Sequence, residues 1–185
     1  MGAADPGKKL ALASKVALAE LLLSGCTTAA DHHYLFPEGL ENAIDVQVQS
    51  VRELGMRAML TRGSMSLGEA DGGLPPQQTV QQGQVILDDS QRLIAEYHER
   101  GDGAQIQIAL APCSPFFGHA ADHERQRRAG GKKLDVRLHT HLAETLDEEA
   151  FLPATLRPAH RGLPGQRRLA WPAYLAGPRH SFQPG

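Results

Sequence analysis

Residues 133–145 read KLDVRLHTHLAET and join a strand-like run to three chemically active side chains. The run from Lys133 to Leu138 has the composition of a β-strand, and the residues after this stretch are typical of a helix. His139 and His141 therefore follow the carboxyl end of a strand, with Glu144 three residues further on. Alternate strand residues share a face, so both imidazoles would point the same way, as a divalent metal requires. Further ligands would have to come from elsewhere in the chain.

The composition is typical of a globular protein and argues against nucleic acid as a binding partner. The 185 residues are 41% hydrophobic and 22% charged, with a net charge of −2, which suits one domain and gives no basic field for nucleic acid. Cys26 and Cys113 are the two cysteines, which fits a reducing compartment. No apolar run reaches the roughly eighteen residues of a membrane span. We expect a cytoplasmic protein that binds a small molecule, not a nucleic acid polymer or a membrane.

Helical and strand-like segments alternate along the chain. Apolar residues recur at helical spacing in residues 10–24, 41–54 and 78–100. Short β-type runs occupy residues 26–30, 56–60, 106–111 and 134–138. Four strands separated by helices or helix-length segments predict a parallel sheet or barrel.

Polar groups follow each predicted strand. They are Asp31 to Tyr34, Thr61 to Ser64, Pro112 to Pro115 and His139 to His141. Such repetition favours the mouth of an α/β barrel, where the carboxyl ends of the strands carry the chemistry. For any single one of these residues, solvation or helix capping is the alternative interpretation.

Five motifs together resemble the amidohydrolase superfamily. In chain order they are LAELLLSGCTT (18–28), DHHY (31–34), RGSMS (62–66), APCSPF (111–116) and HTHLAET (139–145). Within the superfamily they are most similar to the branch of 8-oxoguanine deaminases and hydroxyatrazine ethylaminohydrolases. Guanine and cytosine deaminases are less similar. The motifs identify the branch more clearly than they distinguish between the substrates of its members.

The resemblance implies an α/β fold, a partial (β/α)8 TIM-type barrel of about four βα units within residues 1–151. It implies one divalent metal, usually zinc, that activates water to attack an amino-bearing ring carbon and release ammonia. The substrate it favours is 8-oxoguanine, with hydroxyatrazine or another s-triazine, or guanine, as alternatives. It leaves open whether the parent enzyme is a homo-oligomer.

The resemblance also implies roles for individual residues. His141 matches the metal ligand on the fifth barrel strand, and His139 is its neighbour rather than a second ligand. Glu144 matches the catalytic carboxylate that moves protons between the water and the heterocycle. Candidates for substrate binding are Arg62, His33 and Cys113.

The ligand set of this chain is incomplete by the same resemblance. The superfamily's first His-x-His pair would precede Leu10, and its later histidine and final aspartate are missing as well. Catalytic zinc takes about three protein ligands plus water, so one imidazole cannot hold it. We expect the chain as written to be inactive, and a non-catalytic remnant is the alternative function.

Two segments without apolar periodicity interrupt the resemblance. We predict an irregular insert at residues 118–133 and an irregular or disordered tail at residues 152–185. Codons permitted for residues 118–132, read one base later, can encode a Thr-Pro helix start and an amphipathic run. The same one-base shift in the codons of residues 1–8 can encode a further helix start. In the codons of the tail it can encode an AHGIHF motif. We hypothesise that these segments are out of frame in a disrupted gene; the alternative is a genuine polar loop and tail.

Overall fold

The computed structural model describes residues 5–114 and 117–141, apart from the side chain of Lys132. Its main elements are α1 (Pro6–Leu23), β1 (Thr28–Asp31), α2 (Ala43–Leu54), β2 (Arg57–Ser64), α3 (Gly83–Tyr97), β3 (Ile106–Pro112), α4 (Ala120–Arg128) and a π-helical turn (Ala129–Leu134). Two 3-10 turns, Glu69–Asp71 and Gln77–Thr79, lie between β2 and α3. Of the helices described, none is both long and apolar enough to cross a membrane.

The three strands form one parallel sheet in the order β1-β2-β3. Thr28 of β1 is in register with Arg57 of β2, and Ala58 of β2 with Ile106 of β3. Parallel neighbours need crossover connections, and α2 and α3 supply them. The predicted α/β class, with a parallel sheet built from successive βα units, is confirmed.

The fourth predicted strand, residues 134–138, is wrong at its start. Leu134 lies in the π-helical turn, and Asp135 has a φ of 51°, which belongs to left-handed rather than extended backbone. The chain becomes extended only afterwards, where the Leu110 amide donates to the carbonyl oxygen of Arg137 at 3.0 Å. Residues 137–141 therefore lie beside β3 while sharing a single β-bridge with it.

The hydrophobic core lies between the sheet and helices α2 and α3. Apolar residues at helical spacing on both helices meet alternate residues of the strands. The buried members include Ile44, Val48, Val51, Leu60, Leu93, Ile106, Ile108 and Leu110. Because Leu60 and Leu110 face the helices, their chain neighbours Thr61 and Ala111 face the other side of the sheet.

Residues 118–133, predicted to be an irregular loop, instead contain helix α4. The prediction relied on apolar periodicity, which this segment lacks. The charged residues of the segment instead stabilise a helix through ion pairs along it. Glu124 accepts hydrogen bonds from Arg127 and Arg128 at 2.6 Å each, pairs spaced by three and four residues. Arginine, glutamine, glutamate and alanine are also good helix formers.

The buried face of α4 is polar. Its buried residues are Asp122, His123 and Gln126, and the Gln126 amide donates to the Ser64 hydroxyl at 2.9 Å. A helix beside a sheet ordinarily buries an apolar stripe, so this sequence is mismatched to its position. The mismatch is what an out-of-frame segment at a helix position would produce. The hypothesis stays a prediction that sequencing of the coding DNA tests; residues 152–185 lie outside the described residues.

We expect His123 to make stability depend on pH. Its side chain is 2% exposed, and burial lowers its pKa to about 4, below the 6.5 of an unfolded histidine. The unfolded chain then binds more protons between pH 6.5 and 4. The free energy of unfolding should fall by up to about 3 kcal/mol as the pH drops through that window, and His123 should cause no further change above or below it.

Urea denaturation between pH 4 and 7 measures this dependence. His123→Gln should reduce the slope with pH, whereas His119→Gln, at an exposed position, should retain it. An unchanged slope in His123→Gln would show that His123 is not the titrating group.

Candidate functional site

The carboxyl ends of the strands present side chains to both faces of the sheet. Asp31, the last residue of β1, accepts a hydrogen bond from Gln47 of α2 and therefore faces the helices. Its neighbour His32 faces the opposite side, where its Nε2 lies 3.4 Å from the carbonyl oxygen of Ala111. This alternation divides the predicted site residues into two groups.

Three imidazoles lie together on the face opposite the helices. The rings of His32 and His141 are stacked, with centroids 4.3 Å apart and planes within 9°. The ring of His139 meets that of His32 edge-on at 4.5 Å, and Tyr34 meets His141 edge-on at 6.3 Å. Stacked rings do not aim their nitrogens at a common point. Within residues 5–114 and 117–141, no group of three His, Cys, Asp or Glu side chains could hold a metal ion.

The main chain fixes the protonation of His141. Its Nδ1 lies 3.1 Å from the carbonyl oxygen of Cys113, which also accepts the His141 main-chain N–H at 2.9 Å. A carbonyl oxygen can only accept, so Nδ1 carries the proton and Nε2 of the neutral ring keeps its lone pair. A hydrogen bond from the other ring nitrogen to a carbonyl oxygen orients metal-ligating histidines in this way. The geometry therefore fits a single metal ligand at His141.

His32 is a site residue that the sequence analysis did not choose. Burial, together with the nearby His141 and His139, lowers the pKa of its imidazole to about 4. Its Nδ1 is buried and has no hydrogen-bond partner among the residues that the structure describes. The alternation of strand faces is the signal that could have separated His32 from its neighbour His33.

Arg62 and His33 lie on the other face, beside helices α2 and α3. The Arg62 guanidinium, 1% exposed, lies 3.7 Å from the centre of the Phe36 ring and donates to Asp89 at 2.6 Å and to Gln81 at 2.8 Å. The His33 ring meets the Phe36 ring edge-on at 5.1 Å. Burial lowers the pKa of both His33 and Arg62. The structure thus groups these two predicted residues with each other and not with His141.

A cavity of about 520 Å³ borders Arg62 on this helix side. Its charged groups pair with one another, since Arg92 donates to both carboxylate oxygens of Asp45 at 2.8 Å and to Asp89 at 2.8 Å. Hydrogen bonds between Asp45 and both Arg92 and Tyr97 lower the carboxyl pKa against the effect of burial. The arrangement is that of an ion-pair network which ties α2 to α3.

Cys113 lies at the end of β3 and is 4% exposed. Its main chain links three segments, because its N–H donates to the Ser64 carbonyl at 3.0 Å and its carbonyl accepts from His141 and from the Thr140 hydroxyl. The position that the structure gives Cys113 is thus directly behind His141. Glu144 lies outside the described residues.

Gly63 is required where the segment that follows β1 approaches β2 at the site. Its N–H donates to the His33 carbonyl at 2.8 Å, and a Cβ at this position would overlap that oxygen and lie 2.7 Å from Tyr34 Cβ. We expect Gly63→Ala to destabilise the chain by about 1–3 kcal/mol, because the backbone must move to relieve the clash. Urea denaturation measures the loss.

Gly131→Ala provides the matched control. A Cβ at Gly131 would meet nothing closer than 3.8 Å, so this variant should remain within about 0.5 kcal/mol of the original chain. Equal stability of the two variants would contradict the close approach at Gly63.

Comparison with known proteins bears on this site. The chain is 74% identical over 144 residues to 8-oxoguanine deaminase from Pseudomonas aeruginosa, across 78% of this chain and 32% of the relative. The predicted resemblance to the amidohydrolase superfamily is confirmed. A second relative of this chain, hydroxydechloroatrazine ethylaminohydrolase from Pseudomonas sp. strain ADP, is 33% identical over 130 residues, 70% of this chain and 27% of the relative. No family model matches the chain.

Solved structures show the same fold. The chain superimposes with a TM-score of 0.72 on a mutant atrazine chlorohydrolase from Arthrobacter aurescens TC1, solved with zinc and atraton. The two are 32% identical, over 76% of this chain and 31% of that one. The chain thus spans about a third of the length of the relatives it matches.

Proposed function

We propose that this chain is part of a metal-dependent deaminase that hydrolyses 8-oxoguanine and releases ammonia. The observation that carries the proposal is the 74% identity to an 8-oxoguanine deaminase. Aminohydrolysis of hydroxyatrazine or a related s-triazine is the second candidate, favoured by the 33% identity to the ethylaminohydrolase. The higher identity selects the purine over the triazine.

In this proposal the described residues are consecutive units of a (β/α)8 barrel. Four neighbouring strands of the barrel would be β1, β2, β3 and the extended residues 137–141. Helices α2 and α3 would lie on the outside of the barrel. The face that carries His32 and His141 would then line the barrel interior at the carboxyl ends of the strands. Barrel enzymes of this class place their chemistry at that end.

His141 would supply one ligand to the metal through Nε2, which keeps its lone pair because Nδ1 donates to Cys113. The atrazine chlorohydrolase was solved with zinc, which makes zinc the metal we propose. A zinc ion held there would supply a Lewis acid that makes water easier to deprotonate near neutral pH. The described residues do not complete the ligand set, so activity requires ligands from other parts of the enzyme.

The remaining roles belong to side chains of this chain. Glu144 would accept a proton from the attacking water and deliver it to the heterocycle, as the resemblance implies. The backbone of Cys113 would hold the His141 ring. Substrate binding by Arg62, His33 and Cys113 stays a prediction. Arg62 also donates a hydrogen bond to the Gly63 carbonyl, and this contact favours a structural role in which Arg62 stabilises the end of β2.

A chimeric enzyme tests the proposed function. Residues 10–116 and 134–151 of this chain would replace the equivalent parts of the Pseudomonas aeruginosa deaminase, which would supply everything else. We expect ammonia release from 8-oxoguanine at a higher kcat/KM than from hydroxyatrazine. A folded, zinc-loaded chimera that prefers hydroxyatrazine would select the second candidate, and one that acts on neither would contradict the proposal.

A further inference from the structure

We propose that a small cavity near the amino ends of β2 and β3 binds a tetrahedral oxyanion such as phosphate. The cavity has a volume of about 180 Å³ and lies between the loop that joins α3 to β3 and residues 135–137. Met59 and Gln107, close to the first residues of their strands, also line it. His141 lies at the opposite, carboxyl ends of the strands. The site is therefore separate from the proposed deaminase centre and does not depend on it.

The volume of the cavity limits its ligand to a small one. Pockets that enclose drug-sized ligands measure roughly 300–1,000 Å³, and a water molecule in the liquid occupies about 30 Å³. The cavity of about 180 Å³ thus has the room of about six water molecules, enough for one phosphate group and part of its hydration shell. A phosphomonoester could place its phosphate there only if the rest of the molecule stayed outside.

The charged side chains around the cavity favour an anion. Arg100 and Arg137 supply two positive charges, and Asp135 supplies one negative charge. The Asp135 side chain is 90% exposed and lies 3.2 Å from the Arg100 guanidinium, so solvent screens this pair. A weakly held carboxylate at the edge of the cavity leaves both guanidinium groups attractive to a dianion.

Arg137 is the donor that has no other function in the fold. Its side chain is exposed, and its guanidinium has no hydrogen-bond or ion-pair partner among the residues that the structure describes. Arg100 donates to the Leu134 carbonyl at 2.9 Å and to Asp135, but a guanidinium carries five N–H donors. Both arginines therefore retain donors, and guanidinium groups bind phosphate oxygens in a two-pronged geometry.

His98 adds a third polar group from another direction. Its Nδ1 lies 3.0 Å from the main-chain nitrogen of Ile108 and 3.1 Å from the carbonyl oxygen, so β3 holds the ring in place. Nε2 is the ring atom left for a ligand. Hydrogen phosphate has both an O–H donor and acceptor oxygens, so it can pair with Nε2 in either tautomer. Three partners around one cavity suit an ion with four oxygens better than a carboxylate with two.

Nuclear magnetic resonance of the full chain tests the location of the site. With 15N-labelled arginine, the guanidinium signals of Arg100 and Arg137 should shift and saturate as inorganic phosphate is added. Chloride at the same ionic strength should not produce these shifts. The signal that disappears in each Arg→Gln variant assigns the resonances. Shifts no larger with phosphate than with chloride would overturn the inference.

Titration calorimetry with inorganic phosphate tests the individual side chains. Arg137→Gln should weaken binding about tenfold, the usual effect of losing charge-assisted hydrogen bonds. Asp135→Asn should strengthen binding about threefold, because it removes the competing carboxylate, and asparagine tolerates the φ of 51° at this position.

Arg125→Gln is the matched control, because it removes the same charge from an exposed position on α4 that does not line the cavity. It should bind phosphate as the original chain does. Equal affinities in folded Arg137→Gln and Arg125→Gln would contradict the proposed site.

A comparison of anions identifies the class and source of the ligand. Ribose 5-phosphate that binds as tightly as inorganic phosphate would show that the cavity accepts the phosphate group of a larger molecule. Binding of inorganic phosphate alone would show that the ligand is the free ion. Both results support the site, whereas acetate that binds as tightly as phosphate would contradict a tetrahedral oxyanion.

Discussion

Asp89→Ala is expected to destabilise the chain by about 3–5 kcal/mol, because it leaves the buried Arg62 charge without its partner. The Arg62 side chain is 1% exposed, and its Nε donates to Asp89 at 2.6 Å. Burial already lowers the pKa of Arg62, and the Asp89 carboxylate opposes that effect. The exposed pair between Asp89 and Arg92 adds little to this loss, since solvent screens it.

Urea denaturation of three variants separates the buried charge from other causes. Asp88→Ala changes an exposed neighbour on the same helix and should stay within about 0.5 kcal/mol. The double variant Arg62→Met and Asp89→Leu should recover most of the stability that Asp89→Ala loses, because no buried charge remains. Equal losses in Asp89→Ala and Asp88→Ala would contradict the account of Arg62.

Glu144→Gln is expected to lower ammonia release by the chimeric deaminase about 10²–10⁴-fold, the usual contribution of a positioned proton carrier. Glutamine keeps the size and polarity of glutamate but cannot accept the proton of the attacking water. Zinc content should be unchanged, since His141 rather than Glu144 is the proposed ligand. The measurement is the initial rate of ammonia release from 8-oxoguanine, together with the metal content of the same samples.

Glu148→Gln is the matched control, because it makes the same chemical change four residues further along. It should leave the rate within about twofold, because the resemblance assigns Glu148 no role in the reaction. A Glu144→Gln chimera that retains full rate would remove Glu144 from the mechanism. A chimera that loses zinc together with activity would instead indicate a role in metal binding.

The helices and the three strands could be predicted because their core faces follow simple periodicity. Ile44, Val48 and Val51 mark the buried stripe of α2, and Leu60 and Leu110 alternate with residues of the other face. Helix α4 could not be predicted in this way, because salt bridges and helix-forming residues hold it without an apolar stripe.

The errors within the site arise because the predicted strand ends differ from those in the structure by one to four residues. The sequence predicts a strand ending at residue 60, whereas β2 continues to Ser64, so Arg62 lies within the strand and faces the helices. β1 likewise extends to Asp31, which fixes the faces of His32 and His33. A shift of one residue exchanges the two faces of a strand, and periodicity alone does not locate the end.

We propose that residues 137–141 of this chain correspond to the fifth strand of an amidohydrolase barrel and that His141 is a zinc ligand. Anomalous diffraction from crystals of the zinc-loaded chimera tests this proposal. We expect a zinc peak about 2.0–2.1 Å from His141 Nε2, with Nδ1 donating to the Cys113 carbonyl. Zinc bound elsewhere, or an Nε2 that makes no metal contact in a fully loaded crystal, would show that His141 is not a ligand.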